Sequence, residues 1–146
     1  MKFKIVEEVE KPEFYNIGNY KFNPDGTLDV FENVYLVSKH LTELPFNFGK
    51  IFGFFDCSHN FLTSLKGFPE IVNGDFDCSF NSLTSLEGSP KIVNGDFDCY
   101  NNDLTSLNGL NLDGISGKII LKSNPDLKLT EKEQLWTTLN PGRLIL

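Results

Sequence analysis

The chain is poor in the residues that catalysis and metal binding draw on. His40 and His59 are the only imidazoles among 146 residues, beside a single tryptophan and a single methionine. It holds no H-E-x-x-H, no phosphate-cradling G-x-x-x-x-G-K-[ST] and no Ser-His-Asp context. No catalytic residue, cofactor or metal ligand is expected, and the chain reads as a protein that is not an enzyme. Positive charge is also scarce: 13 Lys and Arg stand against 20 Asp and Glu, a formal net charge of −7. An acidic chain repels nucleic acid and anionic membranes, so neither is an expected direct partner, whereas a basic protein surface is. The plainer alternative is that this charge only keeps a small domain soluble. No N-terminal apolar run resembles a signal peptide, and no stretch approaches the roughly 20 apolar residues of a membrane span. Cysteines number three, an odd count without C-x-x-C spacing. They read as small buried apolar residues of a reducing compartment, not as disulfide partners or zinc ligands, and the expected location is the cytoplasm.

What the chain does contain is periodicity. Residues 62–82 read LTSLKGFPEIVNGDFDCSFNS and residues 83–103 read LTSLEGSPKIVNGDFDCYNND, identical at 15 of 21 positions. A fixed period of this length predicts a solenoid whose units bury their apolar side only against a neighbour. The pattern fits L-x-x-L-x-L-x-x-N/C-x-L, with Asn at position 9. Three units align well: Phe55, Cys57, Asn60, Leu62 and Leu65; Phe76, Cys78, Asn81, Leu83 and Leu86; Phe97, Cys99, Asn102, Leu104 and Leu107. A degenerate unit precedes them at Val34, Leu36, Lys39, Leu41 and Leu44. Another follows at Ile119, Leu121 and Asn124 after one extra residue. The expected architecture is an α/β-type, β-dominated solenoid of about five coils with one parallel sheet on its concave side.

Within a unit, Phe-Asp-Cys alternates inward and outward, which is a short strand. Asn at position 9 turns the chain out of the strand, and its amide can satisfy backbone groups of adjacent coils. The return segment, such as GSPKIVNGD, is too broken by Pro and Gly for a helix and is expected to be extended or 3₁₀. Asn73-Gly74 and Asn94-Gly95 are expected to turn the chain back into the strand.

The expected boundaries are an N-terminal cap over 1–30, repeats over 31–129 and a C-terminal helical cap over 130–146, all one domain. Tyr20 to Val30 contains Asn-Pro-Asp-Gly between alternating apolar residues, a hairpin signal. Thr130 and Glu133 form a capping box for a helix over about 131–139, with Leu135, Trp136 and Leu139 expected to face the last coil. Asn140-Pro141-Gly142 ends it, and the apolar tail 143–146 is expected to pack.

The sentence LTSLxGxPxxVxGDFDCSxN resembles the cysteine-bearing leucine-rich repeats of small proteins from tailed bacteriophages and some bacteria, over about residues 28–129. Asn23-Pro24-Asp25-Gly26, followed by Leu-Thr-Glu-Leu-Pro at 41–45, is similar to the cap before such repeats. The resemblance implies a binding module without catalysis, acting in the host cytoplasm where the chain is phage-encoded.

On such a fold the outward strand residues form the expected binding face. Position 5 carries Tyr35, Asp56, Asp77 and Asp98. Position 3 carries Phe54, Asp75 and Asp96, positions 7 and 8 carry Tyr100, His59 and Phe80, and position 10 carries Phe61. Carboxylates on neighbouring strands repel, and a cationic partner relieves that repulsion. Exposed aromatic rings supply binding anchors. The competing reading is that the Asp residues were copied by duplication and only block sheet association. Calcium fits poorly: the nonapeptide period is wrong, and an Asp ladder offers too few converging oxygens. The function expected is a monomeric, protein-binding inhibitor of a host protein, with an antiviral defence protein as the concrete case. Alternatives are a structural or assembly protein, or a small-ligand or nucleotide sponge.

Overall fold

The computed structural model describes residues 10–146, so the first nine residues of the expected cap lie outside the described residues. The chain forms two sheets of mostly parallel strands with one short helix. The first sheet has the order β1 (Tyr20–Phe22), β2 (Leu28–Val30), β4 (Phe48–Ile51), β6 (Ile71–Val72) and β8 (Ile92–Val93). The second has the order β11 (Leu144–Ile145), β10 (Ile119–Ile120), β9 (Phe97–Asp98), β7 (Phe76–Asp77), β5 (Phe55–Asp56) and β3 (Val34–Tyr35). The only antiparallel pair among the described residues is the β1–β2 hairpin, at the expected Asn-Pro-Asp-Gly turn, where Gly26 takes φ 84°.

The second sheet has the expected register. Val34 pairs with Phe55, Phe55 with Phe76, Phe76 with Phe97 and Phe97 with Ile119. The degenerate early unit and the one-residue insertion before Ile119 therefore align as the sequence indicates. The first sheet corrects the expectation of a single sheet. Ile-Val of each return segment is extended, and Lys50 pairs with Ile71, and Ile71 with Ile92. Pro and Gly exclude a helix there, but β-branched residues beside an identical neighbour form a ladder.

The core lies between the sheets. Phe48, Ile51, Val72 and Val93 enter it from the first, and Phe55, Phe76, Phe97 and Ile119 from the second, with Leu62, Leu83 and Leu104 along the segments between. Identical register stacks identical rings: Phe55–Phe76 and Phe76–Phe97 lie 5.9 and 5.0 Å apart between centroids, within 20° of parallel. Each such pair contributes about 0.5–1.5 kcal/mol beyond its buried area.

Asn60, Asn81, Asn102 and Asn124 are buried polar side chains, and each is fully engaged. Asn81 Nδ2 donates to the carbonyls of Cys57 and Cys78, both at 3.1 Å, while its Oδ1 accepts from Leu62 N–H at 3.0 Å. Asn102 repeats this one unit on, through Cys78, Cys99 and Leu83. Each amide thus ties two adjacent units together, as its position in the sequence implies.

Asn73-Gly74 and Asn94-Gly95 bend the chain from β6 and β8 into β7 and β9 as expected, although neither Gly74 nor Gly95 takes a positive φ. Their requirement is close approach: a Cβ on Gly95 would meet the Asp75 carboxylate and the Gly74–Asp75 backbone. Within these units the glycines at positive φ are Gly67, Gly88 and Gly109, at 82°, 86° and 92°, two residues after each Leu65-type position.

The cysteines also depart from expectation. Cys78 and Cys99 are joined as a disulfide, while Cys57 is free and buried. Equivalent positions on adjacent parallel strands place their Cα atoms 5.1 Å apart, inside the range a disulfide spans. Burial, then the Asp56 and Asp77 charges, push the Cys57 thiol well up, so it is inert as a nucleophile.

At the C-terminal end, α1 (Glu131–Leu139) starts on the expected capping box between Thr130 and Glu133. Only part of its expected apolar face packs. Trp136 meets the core and donates through Nε1 to Asp113 at 2.8 Å, while Leu135 and Leu139 are exposed. The tail does pack, as strand β11 beside β10, and Arg143 donates to the carbonyls of Ile115 and Gly117. Among the described residues no helix is long and apolar enough to cross a membrane.

Replacing Asn81 with Ala leaves buried backbone groups of two units unpaired and is expected to lower the unfolding free energy by about 2–4 kcal/mol in urea titration. Asn94→Ala, at an exposed position, is expected to stay within about 0.5 kcal/mol of the parent.

Candidate interaction face

Parallel pairing brings Tyr35, Asp56, Asp77, Asp98 and Ile120 into one row across the second sheet. Neighbouring members are about 4.8 Å apart by strand spacing. The three carboxylates are half-buried and held in one orientation. Oδ1 of Asp56, Asp77 and Asp98 accepts from the backbone N–H two residues on, at Ser58, Ser79 and Tyr100, over 3.0, 2.8 and 2.8 Å. That bond secures one oxygen and fixes where the other points. Asp98 shows the electrostatic consequence. Half-burial raises its carboxyl above the ordinary value, the Tyr100 N–H opposes this, and the charges of Asp77, Asp96 and Asp56 add to the rise.

Aromatic rings run beside this row. Tyr35 meets Phe54 edge-on at 4.6 Å. His59 stacks on Phe80 at 4.2 Å and within 11° of parallel, and Phe80 meets Tyr100 at 5.1 Å. His40 meets Phe61 edge-on. Tyr35, Phe61 and Phe80 stay 55%, 59% and 39% exposed. His59 and Phe80 sit in left-handed backbone, with φ 56° and 52°, at the residue before each ladder asparagine. Units above and below carry Ser38, Asn101 and Ser123 in the same conformation. Asn suits that conformation and Phe does not, so the Phe80 backbone holds of the order of 1–2 kcal/mol of strain.

The expected acidic stripe divides in two. Asp56, Asp77 and Asp98 turn Oδ1 to an N–H of their own unit, whereas Asp75 and Asp96 spend Oδ1 on the next unit, accepting from Asp96 N–H at 2.8 Å and Lys118 N–H at 2.7 Å; Oδ2 of all five has no hydrogen-bond partner among the described residues. The glycine before each donating N–H, Gly95 or Gly117, leaves room for that carboxylate. Asp75 and Asp96 therefore belong first to the framework. Position 7 is outward only at Tyr100, which is half-buried: Ser58 and Ser79 are buried, because the chain has already begun to turn. Phe31 and Phe52, stacked at 4.9 Å and exposed beside position 3, were not among the expected site residues. Their signal was present, since they too are 21 residues apart where the next units carry Asn73 and Asn94.

One hollow, of about 260 Å³, reaches this face at His40. Another, of about 210 Å³, lies away from it and is lined by Leu110, Asn111, Asp113, Thr130 and Trp136 under α1. Among the described residues no cluster of three or more His, Cys, Asp or Glu side chains is placed to hold a metal ion. No protein-family model, curated protein or solved structure matches the chain.

A raised carboxyl favours the protonated form in the folded state. Asp98 therefore helps stability below the ordinary value of 3.8 and loses that help as pH rises through its folded value. Asp98→Asn keeps the acceptor for Tyr100 and cannot ionise. It is expected to raise the urea midpoint at neutral pH, with the gain fading as the pH is lowered towards 3.8 and below.

Proposed function

We propose that the chain is a short leucine-rich-repeat solenoid that acts as a non-catalytic protein-interaction module. In this reading it is a single domain and a monomer when free. It binds and blocks a host protein with a basic surface, of the kind a phage inhibitor of antiviral defence would target, in the host cytoplasm. The repeat assignment is supported by 21-residue register in the second sheet and by the asparagine bonds between units. The observation that carries the binding role is Phe80: a large exposed ring held in unfavourable left-handed backbone, stacked on His59 beside a row of fixed carboxylates. Folding alone is better served by Gly or Asn there, so the ring has another use. Carboxylates provide charge complementarity, and Tyr35, Phe54, Phe61 and Phe80 provide anchors.

Two sets of variants test this. Asp56→Lys, Asp77→Lys and Asp98→Lys together are expected to abolish capture of the host partner by immobilised full chain, with far-UV circular dichroism unchanged. Phe80→Gly is expected to keep stability within about 1 kcal/mol, because relief of backbone strain offsets the lost stacking, while capture still falls. Undiminished capture by both would remove this face from the function.

A second reading, assembly of copies end to end, is favoured by one feature: β11 is the last strand of its sheet, and Leu135, Leu139 and Leu146 are exposed near it. Sedimentation at micromolar concentration discriminates, since the inhibitor reading expects a monomer and assembly expects larger species.

A further inference from the structure

The carboxylate row and its rings are specific enough to select among cations. Oδ1 of Asp56, Asp77 and Asp98 is committed to a backbone N–H, and Oδ2 of each has no hydrogen-bond partner among the described residues. What faces outward is thus a line of single oxygens, one per strand, about 4.8 Å apart. Phe80 and Tyr100 lie three and two residues beyond Asp77 and Asp98, and their rings meet at 5.1 Å. The face of Phe80 is already flattened against His59, so its orientation is set before any partner arrives.

Two kinds of protein cation could answer this charge. An ammonium is a compact, strongly hydrated point charge. It gains from the carboxylates but must shed water to approach a ring. A guanidinium is planar and weakly hydrated, carries donors along its edges and stacks on aromatic faces. Lying beside Phe80 or Tyr100, it can turn one edge towards the outward oxygens while its face covers the ring. Neighbouring carboxylates that repel each other, as at Asp98, gain most from a cation placed between them.

Resting on the interaction reading above, we infer that the second sheet binds an arginine-bearing protein segment, with guanidinium groups set between the outward oxygens of Asp56, Asp77 and Asp98 and the rings of Phe80 and Tyr100. Charge alone would accept lysine equally. The rings make the choice, and they do so at the two units where the sequence places aromatic residues at positions 7 and 8.

The test titrates full-length protein with hexa-arginine and hexa-lysine peptides by calorimetry in about 150 mM salt, where exposed charge is screened. Hexa-arginine is expected to bind about tenfold tighter. Phe80→Leu with Tyr100→Leu, which keeps apolar bulk and removes the rings, is expected to reduce that ratio to about twofold. Asp56→Asn with Asp77→Asn, in which each side-chain oxygen can still accept from its backbone N–H, is expected to weaken both peptides. Equal affinity of the two peptides for the parent would overturn the arginine inference and leave a basic partner standing. A tenfold ratio that survives loss of both rings would overturn the role of the rings. Failure of both peptides to bind would overturn the inference together with the basic-partner reading.

Discussion

The structure depends on the pairing of each residue with its equivalent 21 residues away, and the buried asparagines are what make that register unique. Two-residue strands carry too few backbone bonds to resist slipping. A slip of one residue would put every Phe outside and every Asp inside. It would also leave each amide at Asn60, Asn81, Asn102 and Asn124 without the carbonyls and N–H it serves in its own unit and the one before. In a low-dielectric interior that loss is costly, so the polar ladder fixes the alignment that the apolar core then fills.

Once register is fixed, like stacks on like, with opposite consequences on the two faces. Inside, it places Phe55, Phe76 and Phe97 ring on ring. Outside, it places Asp56, Asp77 and Asp98 charge beside charge, and the Asp98 carboxyl is raised first by half-burial and further by the neighbouring charges. The same alignment joins Cys78 to Cys99. It also lets Asp75 and Asp96 reach the next unit over a glycine that has no side chain to obstruct them. The tension on the outer face is the physical ground for proposing a cationic protein partner.

Some of this was legible in the residues alone. The unit boundaries, the inward Phe and Cys, the asparagine ladder, the Asn-Pro-Asp-Gly hairpin and the Thr130–Glu133 capping box follow from spacing and local chemistry. The first sheet was not legible, because Ile71-Val72 is too short a run to mark a strand without its neighbour beside it. Nor was the split among the aspartates. Asp75 and Asp77 are two residues apart in the same run and differ only in what the next unit presents to them.

The sequence by itself determined the period, the side of the strand each residue faces and the two end elements, because those depend on near neighbours and on simple repetition. Only the tertiary structure decided which carboxylate oxygens are spent and which face outward, that Ser58 and Ser79 are buried, that Leu135 and Leu139 are exposed, and that Cys78 finds Cys99. Those outcomes depend on what an adjacent unit places within a few ångströms, which a single unit's sequence does not contain.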